Sequence, residues 1–240
     1  MLPLRDENPT SVFAWVTLVL IAANLLIYFG LQSGGSAAEQ EAILYERAAI
    51  GCEISTGRPL TEVEASSGEC STELGEPIAE GKNVYLAVVT SMFLHGGLAH
   101  LLFNMWFLWL FGDNVEEAFG HAWYAALYLA GGVIATMVFV IMNPGSTVPL
   151  VGASGAIAAI MGAYGVLFPK HKIATLLGRV ITPVPAFLYL AIWFLLQFTL
   201  GGSNTAWEAH VGGFVFGALV SLLFRSRLVA TSPSRSPRLA

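Results

Sequence analysis

Four polar side chains interrupt otherwise apolar sequence, and their types suit acyl-transfer chemistry. Ser154 lies in GASG and His210 in AHVGGFVFG, so a hydroxyl and an imidazole are both flanked by small residues. A serine is activated as a nucleophile when a histidine takes its proton. His100 and Asn104 are four residues apart in HLLFN, so on a helix they share one face and are suited to donate hydrogen bonds to an oxyanion. We therefore predict a Ser154–His210 dyad with His100 and Asn104 as oxyanion donors.

Each of these residues also has a structural explanation that the spacing leaves open. Buried His and Asn commonly hydrogen-bond between membrane helices, and glycine-flanked positions are typical of close helix packing. A metal site made of His95, His100 and His210 is conceivable, but their spacing matches no known ligand pattern. We expect neither a metal nor a cofactor.

The composition identifies the elements that must position these residues. With 55% hydrophobic residues, 11% charged residues and a mean hydropathy of +0.68, the chain is a multi-span membrane protein of all-α class. Six apolar runs predict six transmembrane helices near 12–31, 98–117, 122–142, 154–168, 180–200 and 208–224. The fourth run is too short, at about 1.5 Å per residue, to cross a hydrocarbon core of about 30 Å. We predict that this helix begins below the outer membrane surface, where the segment 143–153 lines a wet cavity.

Small residues on two of these helices predict how the dyad is assembled. The fourth carries Gly155, Ala158, Gly162 and Gly165 at helical spacing, and the sixth carries Gly213 and Gly217 on the face of His210. Such stripes allow two helix backbones to approach closely, which brings Ser154 to His210. Because Ser154 starts its helix, its free backbone N–H is a further oxyanion donor.

The distribution of charge predicts the orientation in the membrane. Lysines and arginines lie between the fourth and fifth spans and after the sixth, at Lys170, Lys172, Arg179, Arg225, Arg227, Arg235 and Arg238. By the positive-inside rule both termini are cytoplasmic and the active site opens to the outer face, as in a bacterial plasma membrane. The predicted parts are therefore an N-terminal segment and first helix (1–31), an extracytoplasmic loop (32–97), a five-helix core (98–224) and a disordered cytoplasmic tail (225–240).

The outer loop has two further features. It holds ten of the sixteen acidic residues, all glutamates, so the net charge of −5 is local and indicates no nucleic-acid partner. It also holds both cysteines, Cys52 and Cys70. Two thiols in one exposed loop of an oxidising compartment are usually paired, so we predict a disulfide worth about 3 kcal/mol to this loop. Two free or buried cysteines are the alternative.

The chain resembles the rhomboid family of intramembrane serine proteases from about Thr90 to Leu223. HGGLAHLLFNMWFLWLFGDNVEEAFG, from His95 to Gly120, resembles the second helix of that family, GASG resembles its GxSG, and AHVGGFVFG resembles its AHxGGxxxG. The resemblance implies a Ser154 nucleophile, a His210 base and an oxyanion hole made by the Ser154 N–H with His100 and Asn104. It also implies a conformationally important glycine at Gly152. We expect four further structural residues near the site, namely His95, Gly155, Gly213 and Gly217. The resemblance further implies peptide-bond hydrolysis in or next to the helix of a single-span membrane protein, without cofactor or metal.

The sequence departs from the family pattern at two places. Many members carry a Trp-Arg pair in the first loop, where this chain has Tyr45-Glu46-Arg47, and some stack a tyrosine on the catalytic histidine, where this chain has Ala158. Neither Asp113 nor Glu116 is placed to orient His210, so a dyad is expected. A non-catalytic rhomboid-like protein that binds client helices is the main alternative. A secondary transporter fits less well, because no paired repeat is evident. The oligomeric state is not indicated.

Overall fold

The computed structural model describes residues 1–71, 75–200 and 205–231, and most of them are helical. The helices are α1 (Trp15–Ile27), α2 (Ala37–Arg47), α3 (Gly51–Thr56), α4 (Glu62–Ser67), α5 (Ala87–Thr90), α6 (Leu98–Phe119), α7 (His121–Met142), α8 (Ser154–Leu167), α9 (Ala186–Leu200) and α10 (Trp207–Thr231). The strands are β1 (Leu2–Asp6), β2 (Ala49–Ile50), β3 (Pro149–Leu150), β4 (Lys172–Leu177) and β5 (Val180–Pro185). A π-helical turn, Tyr28–Gln32, continues α1, and a 3₁₀ turn, Ser91–Phe93, follows α5.

The long apolar helices confirm a helical membrane protein. Within the described residues, three segments are long and apolar enough to cross a bilayer: Trp15–Gln32, His121–Met142 and Trp207–Leu228. A fourth is formed if Ala87–Phe93 and Leu98–Phe119 count as one span, bent by 89°. The apolar helices Ser154–Leu167 and Ala186–Thr199 are shorter. The number of six spans therefore stays a prediction.

The prediction of an all-α chain is wrong for the segment between α8 and α9. There β4 and β5 form an antiparallel hairpin, and β1 adds to it as a third antiparallel strand. The predicted fifth span begins at residue 180, but Pro183 and Pro185 cannot supply the N–H groups that a helix interior requires. The helix consequently begins at Ala186, directly after the hairpin.

The last helix is longer than predicted. α10 runs past Phe224, where the predicted span ends, to Thr231, so Arg225 and Arg227 belong to the helix rather than to a disordered tail. The remainder of that predicted tail, 232–240, lies outside the described residues.

Helix α8 is the centre of the molecule, since its side chains are almost all buried. Its glycine face meets that of α10 at backbone contact: a Cβ added to Gly213 would lie 2.1 Å from the carbonyl oxygen of Gly155. One added to Gly217 would lie 1.8 Å from the carbonyl oxygen of Ala159. Gly165 instead faces α9. The small residues thus hold α8 and α10 together at the level of Ser154 and below it.

A buried carboxylate fixes the start of α1. The side-chain oxygens of Glu116 accept the N–H groups of Val16 and Thr17 at 2.9 and 2.8 Å, and the Thr17 hydroxyl at 2.7 Å. These are the free N–H groups of the first helical turn, for which α1 has no side-chain cap of its own. The first helix is therefore anchored to α6 by a charge-assisted cap.

The outer loop is folded around the predicted disulfide, which is confirmed: Cys52 and Cys70 are bonded, with their Cα atoms 5.6 Å apart. We call residues 37–82, apart from the undescribed 72–74, the cap. Next to the disulfide, Arg58 donates two hydrogen bonds to the buried carboxylate of Glu64, at 2.7 and 2.8 Å. The Arg58 guanidinium lowers the pKa of Glu64 to about 2. The carboxylate therefore stays charged throughout the physiological pH range.

A second ion pair, enclosed on both sides, joins the end of the cap to its middle. Lys82 Nζ lies 2.5 Å from a Glu53 oxygen, with both side chains almost fully enclosed, and it also donates to the carbonyl of Tyr45. Burial lowers the pKa of Lys82. The cap thus neutralises Arg58 and Lys82 internally, and its exposed glutamates, which include Glu39 and Glu62, face solvent.

The cap is fastened to the segment that precedes Ser154. Strand β2 pairs antiparallel with β3, and the Cys52 N–H donates to the carbonyl of Ser146 at 2.9 Å. One cysteine of the disulfide is therefore hydrogen-bonded to the segment 143–153. The order of this segment depends on the cap as well as on the membrane helices.

Candidate active site

Ser154 stands at the start of α8, directly after a turn that only glycine accommodates readily. Gly152 has a φ of +123°, and its N–H donates to the carbonyl of Ser91 at 3.0 Å. This turn lies at the end of the segment 143–153, and the first residues of α8, Ser154 and Gly155, line a cavity. The backbone N–H of Ser154 belongs to the helix N-terminus, where N–H groups lack intrahelical acceptors.

The hydroxyl of Ser154 and the ring of His210 are in hydrogen-bond contact. Ser154 Oγ lies 2.8 Å from His210 Nε2. The two residues come from α8 and α10, and the glycine contact between these helices brings them to this distance. This is the separation required for a histidine to accept the serine proton.

The other face of the His210 ring has two partners on α9. Nδ1 of His210 lies 2.7 Å from Oε1 of Gln197. The ring of Trp193 lies 6.1 Å from the His210 ring, centroid to centroid, at an interplanar angle of 37°. Sequence analysis missed both residues, although a glutamine inside an apolar span is itself a signal of buried polar contact. Ala158 cannot stack on the His210 ring, and Trp193 of α9 is the aromatic neighbour of that ring instead.

One acidic residue, Glu208, lines the cavity, but its carboxylate is hydrogen-bonded away from the histidine. Glu208 Oε1 accepts a hydrogen bond from Asn143 Nδ2 at 3.1 Å, which ties the start of α10 to the end of α7. Within the described chain, the ring nitrogens of His210 contact Ser154 and Gln197. The group beyond the histidine is thus a neutral amide, in a position where a triad would place a carboxylate.

The Nε2 edge of the His100 ring lies beside Ser154. Its Nδ1 accepts the N–H of Gly96 at 3.3 Å, so in the neutral ring the proton is on Nε2. A Cβ added to Gly152 would lie 3.0 Å from His100 Nε2 and 3.6 Å from Ser154 Oγ. The missing side chain of Gly152 is therefore what allows a histidine N–H to approach the serine.

Asn104 adds a second donor one helical turn along α6. Its Nδ2 donates to the carbonyl of His100 at 2.9 Å, and the side chain is buried. A carbonyl only accepts, so the amide nitrogen must face it, which leaves the second N–H of the same nitrogen for another acceptor. Asn104 and His100 line the same cavity as Ser154.

His95 supports His100 without lining the cavity. It is fully buried, and its ring stands edge-on to the His100 ring at a centroid distance of 5.3 Å. Its backbone N–H donates to Gln32 Oε1 at 2.9 Å, and Gln32 Nε2 donates back to the His95 carbonyl. The paired bonds hold the entrance to α6 against the end of the first span.

These side chains surround a cavity of about 1000 Å³. Ser154, His210, His100 and Asn104 line it together with apolar residues such as Trp193 and with the segment 146–152. A hydroxyl, an imidazole in contact with it and further hydrogen-bond donors thus share one concave site of the kind that binds a ligand.

The comparison with protein families is decisive for the fold. A model of the rhomboid domain matches residues 82–227, which is more than half of the chain and contains every catalytic candidate named above. The chain belongs to the rhomboid family. Most of the cap, with Cys52 and Cys70, precedes the matched domain of this rhomboid.

Curated relatives of this rhomboid occur in bacteria and in mitochondria. It is 34% identical over 140 residues to presenilin-associated rhomboid-like protein A, mitochondrial, from Danio rerio, with 55% of this chain and 36% of the relative covered. It is 31% identical over 167 residues to the rhomboid protease GluP of Bacillus subtilis (strain 168), covering 69% and 30%. It is 33% identical over 152 residues to RHOMBOID-like protein 12, mitochondrial, of Arabidopsis thaliana, covering 55% and 44%.

The chain spans less than half the length of these relatives. Family membership and the long apolar helices make it an integral membrane protein. Two of the three relatives are named mitochondrial, so a bacterial plasma membrane remains a prediction from the sequence.

Proposed function

We propose that this rhomboid is an intramembrane serine endopeptidase that uses Ser154 as nucleophile and His210 as general base. The observation that carries the proposal is the 2.8 Å contact between Ser154 Oγ and His210 Nε2 at the wall of a cavity large enough for a peptide segment. The relative GluP is named a protease, which agrees with this function.

The proposed reaction passes through an acyl-enzyme. Ser154 Oγ attacks the substrate carbonyl carbon while its proton moves to His210 Nε2. The oxyanion that forms accepts hydrogen bonds from the Ser154 N–H, His100 Nε2 and Asn104 Nδ2. The tetrahedral intermediate expels the amine, which takes the proton from His210, and water then attacks the ester by the same steps. No residue outside the described site is required.

The proposed substrates are membrane proteins with a single span, cleaved in or next to that span. α8, at 14 residues, is about 21 Å long, shorter than the hydrocarbon core of about 30 Å. We propose that α8 and α9 nevertheless complete a six-span bundle, with the start of α8 sunk below the surface. A cavity at that depth is reached by water from one side and by an unwound substrate helix from the lipid.

We further propose that the site opens to the side of the membrane that holds the cap. The confirmed disulfide supports this orientation, because structural disulfides persist in oxidising compartments. The exposed basic residues of the β4–β5 hairpin lie in a short loop, the kind that stays cytoplasmic.

Substitution of the dyad tests the proposed activity. The purified full chain is offered labelled single-span substrates, and Ser154→Ala and His210→Ala are each expected to lose nearly all cleavage, because the two groups act as a unit. Ser221→Ala, which changes a buried serine farther along α10, is the matched control and is expected to retain activity. A fluorophosphonate should label Ser154 only when His210 is present.

Three results would contradict the proposal. Cleavage by Ser154→Ala at a rate near that of wild type would exclude it as the nucleophile. Equal labelling of Ser154 with and without His210 would exclude the dyad. Stable binding of the substrates by the wild-type chain without any cleavage would favour a non-catalytic protein that holds client helices.

A further inference from the structure

The contacts of Gln197 determine which way its amide points. Its amide nitrogen donates to the carbonyl of Trp193, one turn earlier in α9, at 3.1 Å. A backbone carbonyl only accepts hydrogen bonds, so Nε2 of Gln197 must face it. The amide oxygen is then the atom that faces His210 Nδ1, at 2.7 Å.

This orientation of the amide also fixes the tautomer of His210. The amide oxygen only accepts, so Nδ1 of His210 must carry a proton. In the neutral ring, Nε2 is then unprotonated and presents its lone pair to the Ser154 hydroxyl at 2.8 Å. Only this tautomer is able to receive the serine proton. A chain of three hydrogen bonds, from Trp193 through Gln197 and His210 to Ser154, therefore selects the basic form of the ring.

We propose that Gln197 is the positioning residue of His210, a neutral substitute for the acid of a catalytic triad; this inference rests on the proposed protease function. The amide oxygen holds the ring in place before proton transfer and remains hydrogen-bonded to Nδ1 when the imidazolium forms. A charged carboxylate at this position is costly inside the membrane, whereas an amide, like a protonated carboxyl group, offers an acceptor oxygen without a charge.

The ring of Trp193 does not account for the same effect. An aromatic neighbour at 6.1 Å limits the tilt of the imidazole. The partners of the two His210 ring nitrogens are Gln197 and Ser154, so the indole N–H of Trp193 does not select between Nδ1 and Nε2. Without Gln197 the ring is free to exchange tautomers, and the form with a proton on Nε2 cannot act as a base. The carbonyl of Trp193 contributes through the backbone, so substitutions of the Trp193 side chain leave that bond in place.

Three variants of the full chain test the proposal. Gln197→Leu removes the acceptor at similar volume, and kcat is expected to fall roughly 10–100-fold with little change in KM, since one hydrogen bond and a mixed tautomer are lost. Gln197→Glu restores an acceptor oxygen and should recover most of that loss. Thr199→Val is the matched control on α9: it removes a hydroxyl that donates to the carbonyl of Leu196 and should keep wild-type kcat.

The readout specific to positioning is the ¹⁵N spectrum of His210 in protein with labelled histidine, assigned by its loss in His210→Ala. Wild type, Thr199→Val and Gln197→Glu should show the Nδ1-protonated form, and Gln197→Leu a mixture of tautomers at an unchanged melting temperature. The same kcat in Gln197→Leu as in wild type would overturn the proposal. So would an unaltered tautomer in that variant, which would assign any loss of rate to packing.

The spectrum also separates this proposal from the proposed function. If wild-type protein cleaves no substrate and Ser154 is not labelled by a fluorophosphonate, the protease function fails. The tautomer comparison between wild type and Gln197→Leu still decides whether Gln197 positions His210. A mixed tautomer in wild type itself would refute the proposal directly.

Discussion

Gly152 contributes to the site through the side chain that it lacks. Its position between Ser91, His100 and Ser154 leaves room for the His100 ring beside the serine, and its φ of +123° turns the chain into α8. Glycine is therefore required at this position for two reasons: the positive φ of the backbone and the lack of space for a side chain. A substitution should therefore disturb the oxyanion site as well as the backbone.

Gly152→Ala is predicted to lower kcat by about 10²–10³, the usual cost of losing one oxyanion donor. The added Cβ would lie 2.8 Å from Cε1 of His100 and must displace the ring. Gly178→Ala is the matched control, since this glycine of the β4–β5 turn also has a positive φ but has open space around its Cβ position. Kinetics and melting temperature are compared for both variants. Similar activity losses in the two would show that backbone strain alone is responsible.

Asn104→Ala separates catalysis from packing at the second donor. If the free N–H of Asn104 stabilises the oxyanion, kcat should fall by about 10²–10³ with a smaller effect on KM, because the contact forms chiefly in the transition state. If the residue instead serves to join helices, the melting temperature should fall while each folded molecule keeps its activity. Both quantities are measured on the same preparation, and the second pattern would refute an oxyanion role.

The residues of the site differ in how far sequence can reveal them. The contact between Ser154 and His210 is predictable because matched glycine faces on two helices define their approach, and His100 and Asn104 share a helix face. No comparable sequence pattern identifies Gln197 as a neighbour of His210. Its contact with His210 depends on the rotation of α9 against α10, which neither apolar periodicity nor charge specifies. The orientation of its amide emerges only when the carbonyl of Trp193 is placed next to it.

At the scale of the elements, dependence on distant parts of the chain also explains why the β4–β5 hairpin is not predicted from the sequence. VITPVP is apolar, so hydropathy alone assigns residues 180–185 to a membrane span. Its two prolines and its alternation favour an extended strand, but the partner strands β4 and β1 lie elsewhere in the chain. The five other predicted helices begin close to their observed starts because each of them is a continuous apolar run, although the last one ends seven residues later than predicted. The cap shows the opposite: it is a polar loop, without a long apolar run, and a disulfide and two ion pairs hold it in a folded state.

Breaking the disulfide should loosen the cap without removing the chemistry. On the chain-entropy model, Cys52→Ser/Cys70→Ser costs the cap about 3 kcal/mol. Strand β2 and the Cys52 N–H contact the segment before Ser154, so substrate access should change, while fluorophosphonate still labels Ser154. Hydrogen exchange across residues 49–56 and 146–150 should rise in this variant. Unchanged exchange would show that the ion pairs suffice, and alkylation of both cysteines in unreduced wild type would disprove the bridge.

At the scale of the whole molecule, the distribution of charge and the position of the disulfide both support the proposed orientation in the membrane. The cap with its disulfide lies next to the Ser154 end of α8, and the β4–β5 hairpin follows the other end of that helix. The strand β1 joins the hairpin, so the N-terminus lies on the hairpin side. The charges of the cap are mostly acidic. Apart from Arg47 in the cap, the exposed lysines and arginines of the described chain lie around the hairpin and in the last part of α10. Each of these features favours a cytoplasmic hairpin and an outer cap.

In the bacterial plasma membrane predicted from the sequence, the proposed orientation predicts which face of the protein is labelled from outside the cell. Because both native cysteines are bonded to each other, Ser66→Cys in the cap and Val180→Cys in the hairpin each introduce the only free thiol among the cysteines of the sequence. Both positions are exposed. A membrane-impermeant maleimide applied to intact cells should label Ser66→Cys and should reach Val180→Cys only after permeabilisation. The opposite pattern would place the mouth of the Ser154 cavity on the cytoplasmic side, since the cap and the start of α8 are joined through β2 and β3 and must share one side of the membrane.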